Sequence, residues 1–127
     1  MKIELNHTIV HAHERWAAAR DVAEVLGVAE PTAYGPFAVV DLSNGVSLDF
    51  MDDPGEFTAQ HYAFLVGEDD FDAVLVRLTD QGRQWWADPF RRAPGQINHD
   101  DGGRGLYWEG PDGHWLEIIT RPYGSGA

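Results

Sequence analysis

The sequence predicts an α+β fold of two tandem βαβββ-type modules, residues about 3–54 and about 57–123, forming a curved mixed sheet around a metal-site cavity. Three observations predict it. Residues 45–50, Gly-Val-Ser-Leu-Asp-Phe, match residues 113–118, Gly-His-Trp-Leu-Glu-Ile, so that Leu48 aligns with Leu116, Asp49 with Glu117 and Phe50 with Ile118. Upstream of each copy lies a second matching pair, Asn6-His7-Thr8-Ile9-Val10 and Gln60-His61-Tyr62-Ala63-Phe64. Between the members of each pair sits one stretch of helical periodicity. Each half therefore carries a strand histidine followed by a strand carboxylate, and four such residues are what a metal site needs.

Taken in order, residues 3–12 alternate as a first strand, and a helix follows over about 14–26. Ala19, Val22, Ala23 and Leu26 fall on one face of that helix, and Gly27 is its stop. Residues 28–36 read as a loop punctuated by Pro31, Gly35 and Pro36. Two strands, about 37–43 and 46–52, meet at Ser43-Asn44-Gly45, and Asn-Gly is a strong hairpin signal. Asp52-Asp53-Pro54-Gly55 closes the first module as a turn.

The second module repeats the plan. A strand over 59–67 contains His61; Asp69 or Asp70 caps a helix over about 70–81, which ends at Gly82. Phe71, Val74, Leu75 and Leu78 form its apolar face. A short strand near 84–88 leads into a long loop, and strands at about 104–109 and 114–121 meet at Pro111-Asp112-Gly113.

At 127 residues the chain is one domain's worth of sequence, with an ordinary apolar content of 43%. Its formal charge of −12, with Lys2 its lone lysine, weighs against nucleic acid, which needs clustered cations. The commonest meaning of such a charge is solubility. No apolar run approaches the ~18–20 residues that span a bilayer, and the first residues are polar and strand-like, so a cytoplasmic location is expected. Without cysteine there is neither a disulfide nor a thiolate ligand, so any metal must use histidine and carboxylate. The Asn6-His7-Thr8 sequon is then an accident of sequence.

Strand alternation sorts the side chains. Leu48, Phe50, Phe64, Val66, Leu116 and Ile118 point toward the helices, whereas His7, Ile9, His11, Ser47, Asp49, Met51, His61, Ala63, Trp115, Glu117 and Ile119 point to the other face. That second face mixes apolar walls with titratable groups, as a ligand cavity does.

These features resemble the vicinal oxygen chelate superfamily, which includes glyoxalase I, extradiol dioxygenases, fosfomycin-resistance enzymes and bleomycin-binding proteins. The resemblance covers nearly the whole chain and rests on the two modules, on Leu5 to Val10, on Gln60 to Ala63, and on Pro111-Asp112-Gly113-His114-Trp115-Leu116-Glu117-Ile118. Gly110 stands where the group usually has Asp before the proline. The resemblance implies metal ligands at His7, His61 and Glu117, with Asp49 at the fourth position, a glutamate in glyoxalase I. It implies one divalent ion (Fe, Mn, Co, Ni or Zn) and a small oxygen-rich substrate that chelates it, with isomerase, lyase or dioxygenase chemistry.

Asp49 is shorter than glutamate by about one C–C bond, ~1.5 Å. If it ligates, the site is of the glyoxalase isomerase type, with Glu117 or Asp49 moving the proton. If it stands back, two histidines and one carboxylate suit Fe(II) and O₂. A histidine on such a face, taken alone, is more often a hydrogen-bonded core residue than a ligand; the fourfold match is what favours a metal.

Candidate substrate contacts are His11, Tyr107, Trp115, Arg121, Asn98 and His99, each with packing or surface pairing as the simpler role. Residues 88–103 exceed the usual loop length and are a candidate lid, a solvated loop being the alternative. His13 is expected to be exposed and His114 structural; Trp85, Trp86 and Trp115 supply walls or a dimer contact. A second functional class stays open: an acidic drug- or metabolite-binding protein of the bleomycin-resistance kind, without catalysis. Because each module leaves a sheet face uncovered, a homodimer is expected.

Overall fold

Two histidine-led strands each open a unit of the chain, the first spanning residues 1–58 and the second beginning at Ala59. The computed structural model describes residues 1–126.

The first unit runs β1 (His7–Ala12), α1 (Arg15–Leu26), β2 (Thr32–Tyr34), β3 (Phe37–Asp41) and β4 (Ser47–Asp52), a βαβββ order. Its sheet is β1-β4-β3-β2, with β1 parallel to β4 and the other pairs antiparallel. Helix α1 starts at Glu14, whose carboxylate accepts the Ala17 N–H, and stops at Gly27, whose left-handed backbone (φ 74°) turns its N–H onto the Ala23 carbonyl. Its face of Ala18, Ala19, Val22, Ala23 and Val25 is buried, as are Val10, Ala38, Val40, Leu48 and Phe50 of the strands. Gly45, at φ 80°, makes the predicted hairpin, closed by the Leu42 N–H on the Val46 carbonyl at 2.9 Å.

The second unit runs β5 (His61–Leu65), α2 (Glu68–Asp80), β6 (Gly105–Glu109) and β7 (Trp115–Ile119), with sheet order β5-β7-β6. Here too the first strand is parallel to the last and the hairpin pair is antiparallel. Short 3₁₀ turns occupy Asp100–Gly102 and Pro111–Gly113. Phe71, Val74 and Leu78 of α2 and Leu106, Trp108, Leu116 and Ile118 of the strands are buried. Arg104 ties the helix start to the sheet, donating to Glu68 and Asp72 at 2.8 Å each and stacking over Phe71.

Three expectations need correction. The stretch 28–36 is not all loop: it holds β2, whose three residues are exposed on both faces and so show no alternation. The strand expected near 84–88 contracts to Trp86 alone, bridged to Tyr107 and to Pro94. Pro89 follows this stretch and Pro94 is the bridge partner of Trp86, and proline supplies no N–H to extend a ladder. Helix α2 begins at Glu68 after Gly67, without the side-chain cap expected from Asp69 or Asp70; its acidic first turn instead meets the positive helix end. Thus the sheet is two sheets of four and three strands, both mixed, and the fold is α+β.

Candidate metal centre

Each unit places its histidine and its carboxylate on adjacent parallel strands at the same offset. In the first, His7 pairs with Ser47 and Ile9 with Asp49. In the second, His61 pairs with Trp115 and Ala63 with Glu117. The outcome differs because the two carboxylates differ in length. Glu117, fully buried at 1% exposure, reaches back along the sheet, and its Oε1 lies 3.0 Å from His61 Nε2. The shorter Asp49 instead accepts the hydroxyl of Ser47, the residue facing its histidine, at 2.7 Å.

Hydrogen bonds set the tautomers of both rings. His61 Nδ1 lies 2.9 Å from the Trp115 carbonyl, which can only accept, so Nδ1 carries a proton. In the same way His7 Nδ1 donates to Asn6 Oδ1 at 2.7 Å. On each ring Nε2 is then the nitrogen left for a metal ion, the arrangement typical of metal-ligating histidines. At His61 that nitrogen faces a carboxylate, and a 3.0 Å approach of two acceptors calls for a proton or a cation between them. Two ligands held ~2.1 Å from one ion at right angles stand about 3.0 Å apart, so the pair fits a divalent ion as donors. Among the described residues no three His, Asp or Glu side chains gather as a metal site would require.

Around this pair lies a set of aromatic groups. The Tyr123 hydroxyl donates to Glu117, at 2.7 Å from Oε1 and 2.6 Å from Oε2, and lies 3.3 Å from the Tyr107 hydroxyl. Burial, reinforced by Tyr123 and by the Glu117 charge, pushes the Tyr107 phenol well above its usual range. Burial and the hydrogen bond to Glu117 also push Tyr123 up. Tyr107 stacks on His61 and on Trp115, and Trp115 meets Trp86. Arg91 lies over Trp86 and Trp115, its guanidinium 4.9 and 4.5 Å from the ring centres, and bonds Glu109.

The other candidate residues scatter. His11 lies 3.2 Å from Asp53 and packs near Phe57, in the first unit. Asn98 donates to the Ala87 carbonyl, accepts the Asp100 N–H, and pairs its backbone with Gly105. His99 Nδ1 donates to the Gly103 carbonyl at 3.2 Å. Arg121 is exposed, its chain lying across Gly103. His114 is buried, accepts the Gln60 N–H and meets the edge of Tyr62. Residues 88–103 are tied down: Asp88 accepts the Phe90, Arg92 and Ala93 N–H groups, and the Gly95 N–H reaches the Trp85 carbonyl. Sequence reasoning missed Tyr123, which follows Pro122 beyond the last strand, where periodicity offers no signal.

Solved structures share this fold. Oxidase ChaP-H1 is 58% identical, with 97% of this chain and 99% of that one covered and a TM-score of 0.95. Oxidase ChaP-H2 is 57% identical over the whole of both chains, with a TM-score of 0.96. A glyoxalase/bleomycin resistance protein from Catenulispora acidiphila shares the fold at 24% identity, with 94% of this chain and 100% of that one covered and a TM-score of 0.66. The chain belongs with these two oxidases, and its fold is that of the glyoxalase and bleomycin-resistance proteins of the vicinal oxygen chelate superfamily. No protein-family profile matches the sequence, and no curated protein matches it significantly. At Gly110 a Cβ would stand 2.6 Å from Leu116 Cδ1, so the close approach of that side chain favours glycine over Asp. No helix among the described residues is long and apolar enough to cross a membrane.

Proposed function

We propose that this vicinal oxygen chelate protein is a metal-dependent enzyme that oxidises a small, oxygen-rich, metal-chelating molecule, with dioxygen as the electron acceptor. The observation that carries the reading is the His61–Glu117 pair, 3.0 Å apart, with the far side of the imidazole held by a backbone carbonyl. The superfamily resemblance adds His7, whose ring is prepared in the same way, as a ligand from this chain or from a second copy. Two imidazoles and one carboxylate would leave a divalent ion open positions for substrate chelation and oxygen chemistry.

Asp49 favours the oxidative branch over the isomerase branch. Its carboxylate is engaged by Ser47 and is a methylene too short to repeat the reach of Glu117, so it stands back as a proton acceptor. The two proteins related at 57–58% identity carry the name oxidase, which supports the same branch. Tyr107 and Trp115 form an apolar wall beside His61 for the substrate. A drug-binding role is less well supported, because Arg91 already supplies a cation to the Trp86–Trp115 wall. The exposed Ile9 and Leu65 on the outward strand faces support a homodimer, which sedimentation velocity tests.

The test is oxygen consumption by Fe(II)-loaded protein with a panel of catechols and α-hydroxyketones. Uptake of O₂ with substrate loss, abolished by a chelator, is expected. Turnover that continues without oxygen contradicts the oxidative branch and returns the site to isomerase or lyase chemistry.

A further inference from the structure

Beyond the ligands themselves, Glu117 is held by a group that is not part of any strand. The Tyr123 hydroxyl stands 2.7 and 2.6 Å from the two carboxylate oxygens, nearly equidistant, so it sits in the fork of the carboxylate. That fork is where a cation binding both oxygens would have to lie. With the fork filled, Oε1 alone is offered toward His61 Nε2.

The tail that carries Tyr123 is fastened. The residue is 62% exposed, so hydrophobic burial alone does not explain its place. Instead the next residues are gripped by Asp101, whose carboxylate accepts the Gly124 N–H at 3.1 Å and the Gly126 N–H at 3.4 Å. Asp101 sits in a left-handed backbone conformation (φ 56°), inside the 3₁₀ turn that precedes β6. Ser125 closes the tail turn onto the Pro122 carbonyl at 3.1 Å.

We propose that Tyr123 is a positioning residue that makes Glu117 a one-oxygen metal ligand, with Asp101 as the latch that keeps it there. This rests on the metal reading above. A single-oxygen carboxylate leaves one more coordination position for substrate than a two-oxygen one. Partners of this kind that orient a ligand typically change metal affinity or activity by about 10–100-fold when removed.

The test uses Co²⁺ as a visible probe of the full-length protein, measured by calorimetry and by the d–d absorption band. Tyr123→Phe, which keeps the ring and frees the carboxylate fork, is expected to change Co²⁺ affinity by roughly tenfold or more and to change the band's intensity. Asp101→Ala is expected to shift both readouts in the same direction by a smaller amount. A Tyr123→Phe protein with wild-type affinity and an unchanged band overturns the proposal. Wild-type protein that takes up no Co²⁺ overturns the metal reading itself, and the Tyr123 role falls with it.

Discussion

His61 and Glu117 approach to 3.0 Å across two parallel strands, while the equivalent residues His7 and Asp49 do not pair. One methylene separates the two outcomes, since the strand offsets are the same. Two copies of one module have thereby come to hold different arrangements: a carboxylate paired with the strand histidine in the second, and in the first a carboxylate captured by Ser47.

The arm of residues 88–93 is expected to loosen in acid. Asp88 loses some solvation, but the N–H groups of Ala93, Arg92 and Phe90 outweigh this and hold its carboxyl below the ordinary value of 3.8. A carboxyl depressed in the folded state contributes stability that is present above its unfolded value and is lost as pH falls through the folded one. Hydrogen exchange at the Arg92 and Ala93 amides should therefore accelerate below about pH 3.8 in the wild type. Asp88→Ala should exchange quickly at neutral pH already. Equal protection in the two proteins at pH 7 would contradict the assignment.

The phenols should titrate late. Tyr62, Tyr107 and Tyr123 are raised above the ordinary 10.0, chiefly by burial. A phenol raised by folding contributes stability that is present below its unfolded value and is lost as pH rises through the folded one. Phenolate absorbance followed upward from pH 9 should lag behind that of the urea-unfolded chain, with unfolding accompanying the late phase. Coincident curves for folded and unfolded protein would refute this.

Gly105 is predicted to tolerate no side chain. A Cβ there would meet the Asn98 amide at 2.8–2.9 Å, and Asn98 is fixed by its bond to the Ala87 carbonyl. Gly105→Ala should destabilise by about 1–3 kcal/mol, as overpacking does, measured by urea unfolding. The double variant Gly105→Ala, Asn98→Ala should recover part of the loss, because the clash goes with the amide.

Much of this architecture was legible in residue pattern. Period-two alternation placed His7, Asp49, His61 and Glu117 on strands, and Gly27 and Asn44-Gly45 marked a helix stop and a hairpin. Strand β2 was hidden because Thr32, Ala33 and Tyr34 are exposed on both faces and leave no hydrophobic signature. The contracted strand at Trp86 depends on prolines that remove donors from its neighbours, an effect that apolar content around Trp85 and Trp86 masks. The fate of Asp49 was readable in principle, because Ser47 lies two residues away on the same strand face. Tyr123 was not, since its position depends on a long-range bond between the tail and Asp101.

The central claim, that His61 and Glu117 hold a metal, is tested most directly by elemental analysis of purified protein. Wild type should carry about one divalent ion per chain after Fe(II), Mn(II) or Co(II) loading and desalting. His61→Ala and Glu117→Ala, confirmed as folded by circular dichroism, should carry almost none. Wild type without bound metal, or variants that retain it in full, would contradict the account.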